Sequence, residues 1–140
     1  MLIIAVAIGI AIWVTTRKHE EAKNDNLKIV TSFYPIHVMT ANITQNVQDV
    51  ELVNMTEANV GCLHDYTIST TDMKKIEKAD IYIQNGLGLE SFMDKIISAY
   101  PELKVIDTSA DISNKIQDEN ETNPHIWTSI ENYIKQVETI

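Results

Sequence analysis

The chain opens on an unbroken apolar run, Leu2 to Val14, containing one glycine. As a helix this run would be about 20 Å long at roughly 1.5 Å per residue. That is short for a hydrocarbon core of about 30 Å, and it fits a signal peptide or short signal anchor over residues 1–16. No basic residue precedes the run, while Arg17 and Lys18 follow it, the reverse of the charge bias expected for export. A buried core helix is the alternative. No cysteine stands just after the run, so a lipid anchor has no attachment point. Residues 17–26 are polar and predict a tether, with His19 solvated in it.

From Leu27 the pattern becomes short branched runs alternating with segments of helical spacing. Lys28 to Phe33 predicts a strand, and Pro35 then opens a helix with Ile36, Met39, Ile43 and Val47 along one face. Val50 to Val53 predicts a second strand, and Thr56 to Tyr66, without any period, a loop. Ser69-Thr70-Thr71-Asp72 supplies a helix cap and a first-turn acid; Met73 and Ile76 form the sparse apolar face behind it. Ile81 to Ile83 predicts a third strand, Asn85 to Gly88 a turn, and Glu90 onward a helix with Phe92, Ile96 and Tyr100 aligned, ended by Pro101. Val105-Ile106 predicts a fourth strand. Ser109 to Asn123 reads as a polar, acidic loop, and Thr128 or Ser129 caps a last helix carrying Ile130, Ile134 and Val137. This alternation predicts an α/β fold: a parallel four-stranded sheet flanked by helices, preceded by the apolar N-terminal helix. Ligands of such sheets sit beyond the carboxyl ends of the strands.

Composition narrows the chemistry. Apolar residues make up 44% of the 140 residues and charged residues 22%, enough for a packed core. The formal net charge of -9 leaves no basic stripe for phosphates and argues against nucleic-acid partners. A single cysteine, Cys62, excludes an internal disulfide.

Two post-strand loops each carry a histidine: Gly61-Cys62-Leu63-His64-Asp65-Tyr66 after the second strand and Asn123-Pro124-His125-Ile126-Trp127 after the fourth. Neutral imidazole is a common ligand for zinc and other divalent metals, and two such loops at one sheet edge can converge on one ion. A lone loop histidine is more often a surface residue, so both readings stand on spacing alone. Cys62, two residues from His64, offers a thiolate or packs as a small residue. His37 lies near the end of the first strand and is either a cleft residue or a helix-surface one. Asp65 and Glu90 are candidates to orient ligating imidazoles, Glu90 otherwise serving its helix terminus. The loop acids Asp118, Glu119 and Glu121 either attract cations or are simply solvated. Gly86-Leu87-Gly88 follows a strand, but Ser91 stands where a dinucleotide motif needs its third glycine.

Four stretches together resemble the solute-binding proteins that serve zinc and manganese ABC importers. Lys28 to Pro35 resembles the family's opening strand, and His64 to Asp72 its first metal loop and helix cap. Lys78 to Phe92 is similar to its alanine-aspartate, strand, asparagine-glycine and leucine-glutamate segment. Asn123 to Ser129 resembles its second metal loop, with Asn123 in place of the usual aspartate. The match covers about residues 28–140. The resemblance implies the amino-terminal lobe of a bilobed, extracytoplasmic protein. That protein captures Zn2+, or Mn2+, for the membrane permease of an ABC importer and has no catalytic role. It implies His64 and His125 as metal ligands; Cys62, Asp65, His37 and Glu90 stay accessory candidates on their own chemistry. The expected layout is a signal or membrane segment (1–16), a tether (17–26), a metal-binding lobe (27–127) and the start of an inter-lobe helix (128–140). The family completes its site with a histidine and a carboxylate from a second lobe. Neither is in this sequence, which predicts truncation. A metal-dependent hydrolase using the same histidines and a nonfunctional remnant are the alternatives.

Overall fold

The computed structural model describes residues 26–58, 60–113, 115, 117–118 and 121–140. The apolar segment expected over residues 1–16 and the tether up to residue 25 lie outside the described residues, as do the side chains of Asp118, Glu119 and Glu121. Among the described residues no helix is long and apolar enough to cross a membrane.

Four strands form one parallel sheet: β1 (Leu27–Thr31), β2 (Val50–Asn54), β3 (Ile81–Gln84) and β4 (Lys104–Asp107), in the order β2-β1-β3-β4. Ile29 sits opposite Leu52 on one side and Ile81 on the other. The connections are α1 (Tyr34–Thr44), α2 (Thr70–Glu77) and α3 (Asp94–Ala99), the last entered through a 3-10 turn at Ser91–Met93. After β4 come a small antiparallel hairpin, β5 (Gln117–Asp118) and β6 (Glu121–Thr122), a 3-10 turn at Ile126–Thr128, and α4 (Ile130–Thr139). The hairpin falls inside the segment that reads as loop from its polarity.

Alternation along the strands splits the core between the two sheet faces. Ile29 and Ile83 join Phe33, Ile36, Met39, Leu63 and Leu89 on one face, against which Tyr133 and Val137 of α4 also pack. Val30 and Tyr82 join Met55, Ile76 and Met93 on the other. The chain departs in opposite directions from β1 and β3, so the crevice between their carboxyl ends is the switch point where α/β proteins bind ligands.

Two expected helix faces are only partly apolar. On α1, Ile36 and Met39 are buried, but Ile43 and Val47 are exposed. The helix ends at Thr44 and the chain turns through Asp49 at a φ of 59°, so the stripe does not continue. On α4, Ile130 is 81% exposed and Ile134 52%, while Asn132 and Gln136 are buried. The inward side of α4 carries Tyr133 and Val137 beside the buried Asn132 and Gln136, rather than Ile130 and Ile134.

The cap of α2 forms as its sequence predicts. Ser69 Oγ accepts from Asp72 N at 3.2 Å, and the Asp72 carboxylate accepts from Ser69 N at 2.8 Å and from the Tyr66 hydroxyl at 2.8 Å. Burial opposes ionisation of Asp72, but the Ser69 and Tyr66 hydrogen bonds and the nearby Lys75 ammonium outweigh it and hold the carboxyl below its usual range. A depressed folded-state value means that the unfolded chain binds the proton more readily, so stability rises with pH here. The contribution is complete above the unfolded value and is lost as pH falls through the folded one. Urea unfolding between about pH 5 and 2 should show a shallower acid loss for Asp72→Asn than for the parent; parallel profiles would refute the assignment. Ser69→Ala is expected to cost about 1 kcal/mol at neutral pH.

Candidate metal centre

The loop after β2 is held from below by Leu63, which is fully buried in the first core. Its neighbours Cys62 and His64 are both exposed, so the loop buries Leu63 between two outward-facing donors. A hydrogen bond from Tyr66 N to Leu63 O at 3.0 Å closes the turn, and the Tyr66 hydroxyl ties it to the α2 cap. Burial and the Asp72 carboxylate push the Tyr66 phenol up to about 12, so it stays a donor.

The loop before α4 is pinned differently. Ile126 is fully buried. Trp127 meets Phe33 edge to face, with ring centroids 4.8 Å apart, and lies 5.0 Å from the His125 ring. Asn85 Nδ2 donates to Pro124 O at 2.9 Å. Asn123 Oδ1 accepts from His125 N at 2.9 Å and lies 2.7 Å from His125 Nδ1. An oxygen on Nδ1 makes that nitrogen the protonated one and leaves the Nε2 lone pair free, the arrangement that orients ligating histidines.

The two loops meet. The His64 and His125 rings are 5.3 Å apart, centroid to centroid. Cys62 Sγ lies 2.7 Å from His64 Nδ1 and 3.5 Å from His125 Nε2. One ligand atom from each of the three residues falls within 4.8 Å of the others. The loops come from the two outer strands of the sheet and fold inward over the ends of β1 and β3 to do so.

The accessory candidates separate. Asp65 is exposed and makes no hydrogen bond with either imidazole among the described residues. His37 is half-buried, its Nδ1 lies 3.3 Å from Thr31 Oγ1, and burial lowers its pKa; it lies outside the three-residue cluster. Glu90 is buried, and its two oxygens accept from the backbone of Asn85 at 2.8 Å and Gly86 at 3.1 Å. Burial pushes its carboxyl up, against those N–H bonds. Glu90 therefore holds the turn that carries Asn85, whose side chain in turn bonds Pro124 beside His125. The same bonds occupy the N–H groups that a phosphate would need at Gly86.

Sequence reading missed two members of this support. Gln136 is fully buried, donating to Asn85 Oδ1 at 3.1 Å and Thr108 Oγ1 at 2.7 Å. Asn85 thereby ties α4, the His125 loop and the sheet edge together. Asn85-Gly86 signals a turn but not a hub, and Gln136 stands out only as a polar residue whose burial no periodicity marks.

Residues 29–140 match the family described as zinc-uptake complex component A, periplasmic. A manganese-binding lipoprotein of Halalkalibacterium halodurans is 29% identical over 118 residues, which are 83% of this chain and 38% of that protein. A manganese-bound periplasmic metal-binding protein of Candidatus Liberibacter asiaticus superposes with a TM-score of 0.69 at 31% identity, covering 80% of this chain and 42% of the other. Zinc-bound AdcA of Streptococcus pneumoniae gives 0.68 at 26% identity, covering 81% and 24%. The chain thus spans about two fifths of the length of the first of these relatives.

Proposed function

The chain belongs to the periplasmic zinc-uptake component A family, and from that premise we propose that it captures a divalent metal ion outside the cytoplasm for delivery to the membrane permease of an ABC importer. Zinc is the favoured cargo and manganese the other candidate. His64 and His125 are the ligands. The observation that carries this reading is the convergence of the two imidazoles, 5.3 Å apart, above the switch point of a parallel sheet. Residues 27–127 serve as the metal-binding lobe, and residues 128–140, which contain α4, lead onward from it. The apolar run over residues 1–16 serves as an export signal or a tether to the outer face of the membrane.

Capture suits the surroundings better than hydrolysis. A metal hydrolase needs a general base beside the open coordination position. Glu90 spends both oxygens on backbone N–H groups, and Asp65 is exposed without a bond to either histidine among the described residues.

Calorimetric titration of the full chain with zinc tests the proposal. His64→Ala and His125→Ala should each weaken binding at least about tenfold, or 1.4 kcal/mol, with unchanged far-UV circular dichroism. Undiminished affinity in the double variant would overturn it.

A further inference from the structure

We propose that Cys62 is a third metal ligand, so that this lobe carries a His2Cys site selecting zinc and similarly thiophilic ions over manganese. This rests on the assignment of His64 and His125 as ligands and sharpens it. Tetrahedral zinc with Zn–S of about 2.3 Å and Zn–N of about 2.0–2.1 Å requires S···N edges of about 3.5 Å. Cys62 Sγ lies 3.5 Å from His125 Nε2, already at that edge. Its 2.7 Å separation from His64 Nδ1 is shorter, and an exposed side chain opens it by a small rotation. His125 presents Nε2 to the sulfur because Asn123 holds Nδ1. Cys62 is exposed and the described residues form no disulfide with it. Cys62 and His64, on either side of buried Leu63, are both exposed, and their donor atoms lie within 4.8 Å of each other and of a His125 ring nitrogen.

The chemistry follows from the donor set. Carboxylate, carbonyl and water suit manganese, whereas thiolate selects softer ions such as zinc. As the metal–sulfur bond forms, the thiol releases its proton to solvent, one per ion bound. Three donors from this lobe leave one tetrahedral position, so at most one of the two groups that the family draws from its second lobe would fit beside Cys62. The relatives include both manganese-bound and zinc-bound proteins, so family membership alone leaves the metal open, and Cys62 is what decides it here.

The test uses the full chain under reducing conditions, with zinc, manganese and cobalt(II) as probes. Cys62→Ala should lower zinc affinity at least about tenfold and change manganese affinity less than about twofold, which narrows the zinc preference by the difference. The cobalt-loaded parent should show a near-ultraviolet sulfur-to-metal charge-transfer band that is absent from Cys62→Ala and Cys62→Ser. Histidine-dependent zinc binding with no charge-transfer band and no loss in Cys62→Ala would overturn this proposal while leaving the two-histidine reading intact. In that outcome the thiol is only a hydrogen-bond partner of His64. Zinc binding indifferent to both histidines would instead bring down the underlying reading.

Discussion

Replacing Gly86 by alanine is expected to destabilise the fold by about 2–5 kcal/mol, the sum of a backbone cost and a steric one. Gly86 has a φ of 87°, a left-handed conformation that costs a residue with a side chain about 1–2 kcal/mol. A Cβ there would also fall on the Asp107 carboxylate and the Ser109 hydroxyl. That carboxylate cannot easily swing away, because it accepts from Ser109 N at 2.8 Å and from Ser109 Oγ at 2.6 Å. Overpacking of this kind adds about 1–3 kcal/mol. Gly88 is the internal control: its φ is 78°, but nothing lies within 4 Å of where a Cβ would stand. Gly88→Ala should therefore cost only the backbone part, about 1–2 kcal/mol. Urea unfolding of the two variants separates the contributions. Equal losses would mean that the Asp107 contact carries no penalty and that the turn accommodates a methyl group. Against a typical domain stability of about 5–15 kcal/mol, the larger figure threatens folding at physiological temperature.

Leu63→Ala should be nearly as costly and should reach the metal site as well. Leu63 is fully buried among Phe33, Ile36 and Leu89, and removing a leucine side chain from such a core costs about 2–5 kcal/mol. The same side chain anchors the loop between Cys62 and His64, so its loss frees both donors to move. Met39→Ala removes a comparable side chain from the same core, 1% exposed, but from helix α1 rather than from the loop itself. Both variants should lose stability to a similar extent. Only Leu63→Ala should also lose zinc affinity at temperatures where it remains folded. If Met39→Ala weakens zinc equally, loop anchoring by Leu63 is not what orders the donors.

Glu90 and α4 show how far local pattern reaches. The order of strands and helices, the cap at Ser69 and Asp72, and the turn at Asn85-Gly86 are all set by neighbours in sequence, and each is legible there. Glu90 reads equally well as a helix-terminus acid or a partner of the imidazoles. Its actual partners, the N–H groups of Asn85 and Gly86, depend on how the turn closes on itself. On α4, Ile130 and Ile134 point to the wrong face: the inward side instead carries Tyr133 and Val137, packed on the core, and Gln136, bonded to Asn85 and Thr108, 51 and 28 residues away.

By itself, then, the sequence determined an alternating α/β chain with histidine loops after its second and fourth strands, since branched runs, helical spacing, proline and capping residues act over a few positions. The tertiary structure alone decided the strand order β2-β1-β3-β4. That order bends loops from opposite sheet edges over one crevice and brings Cys62 to a histidine 63 residues distant. Such a meeting depends on sheet closure and on which face each helix buries, and local periodicity carries no record of either.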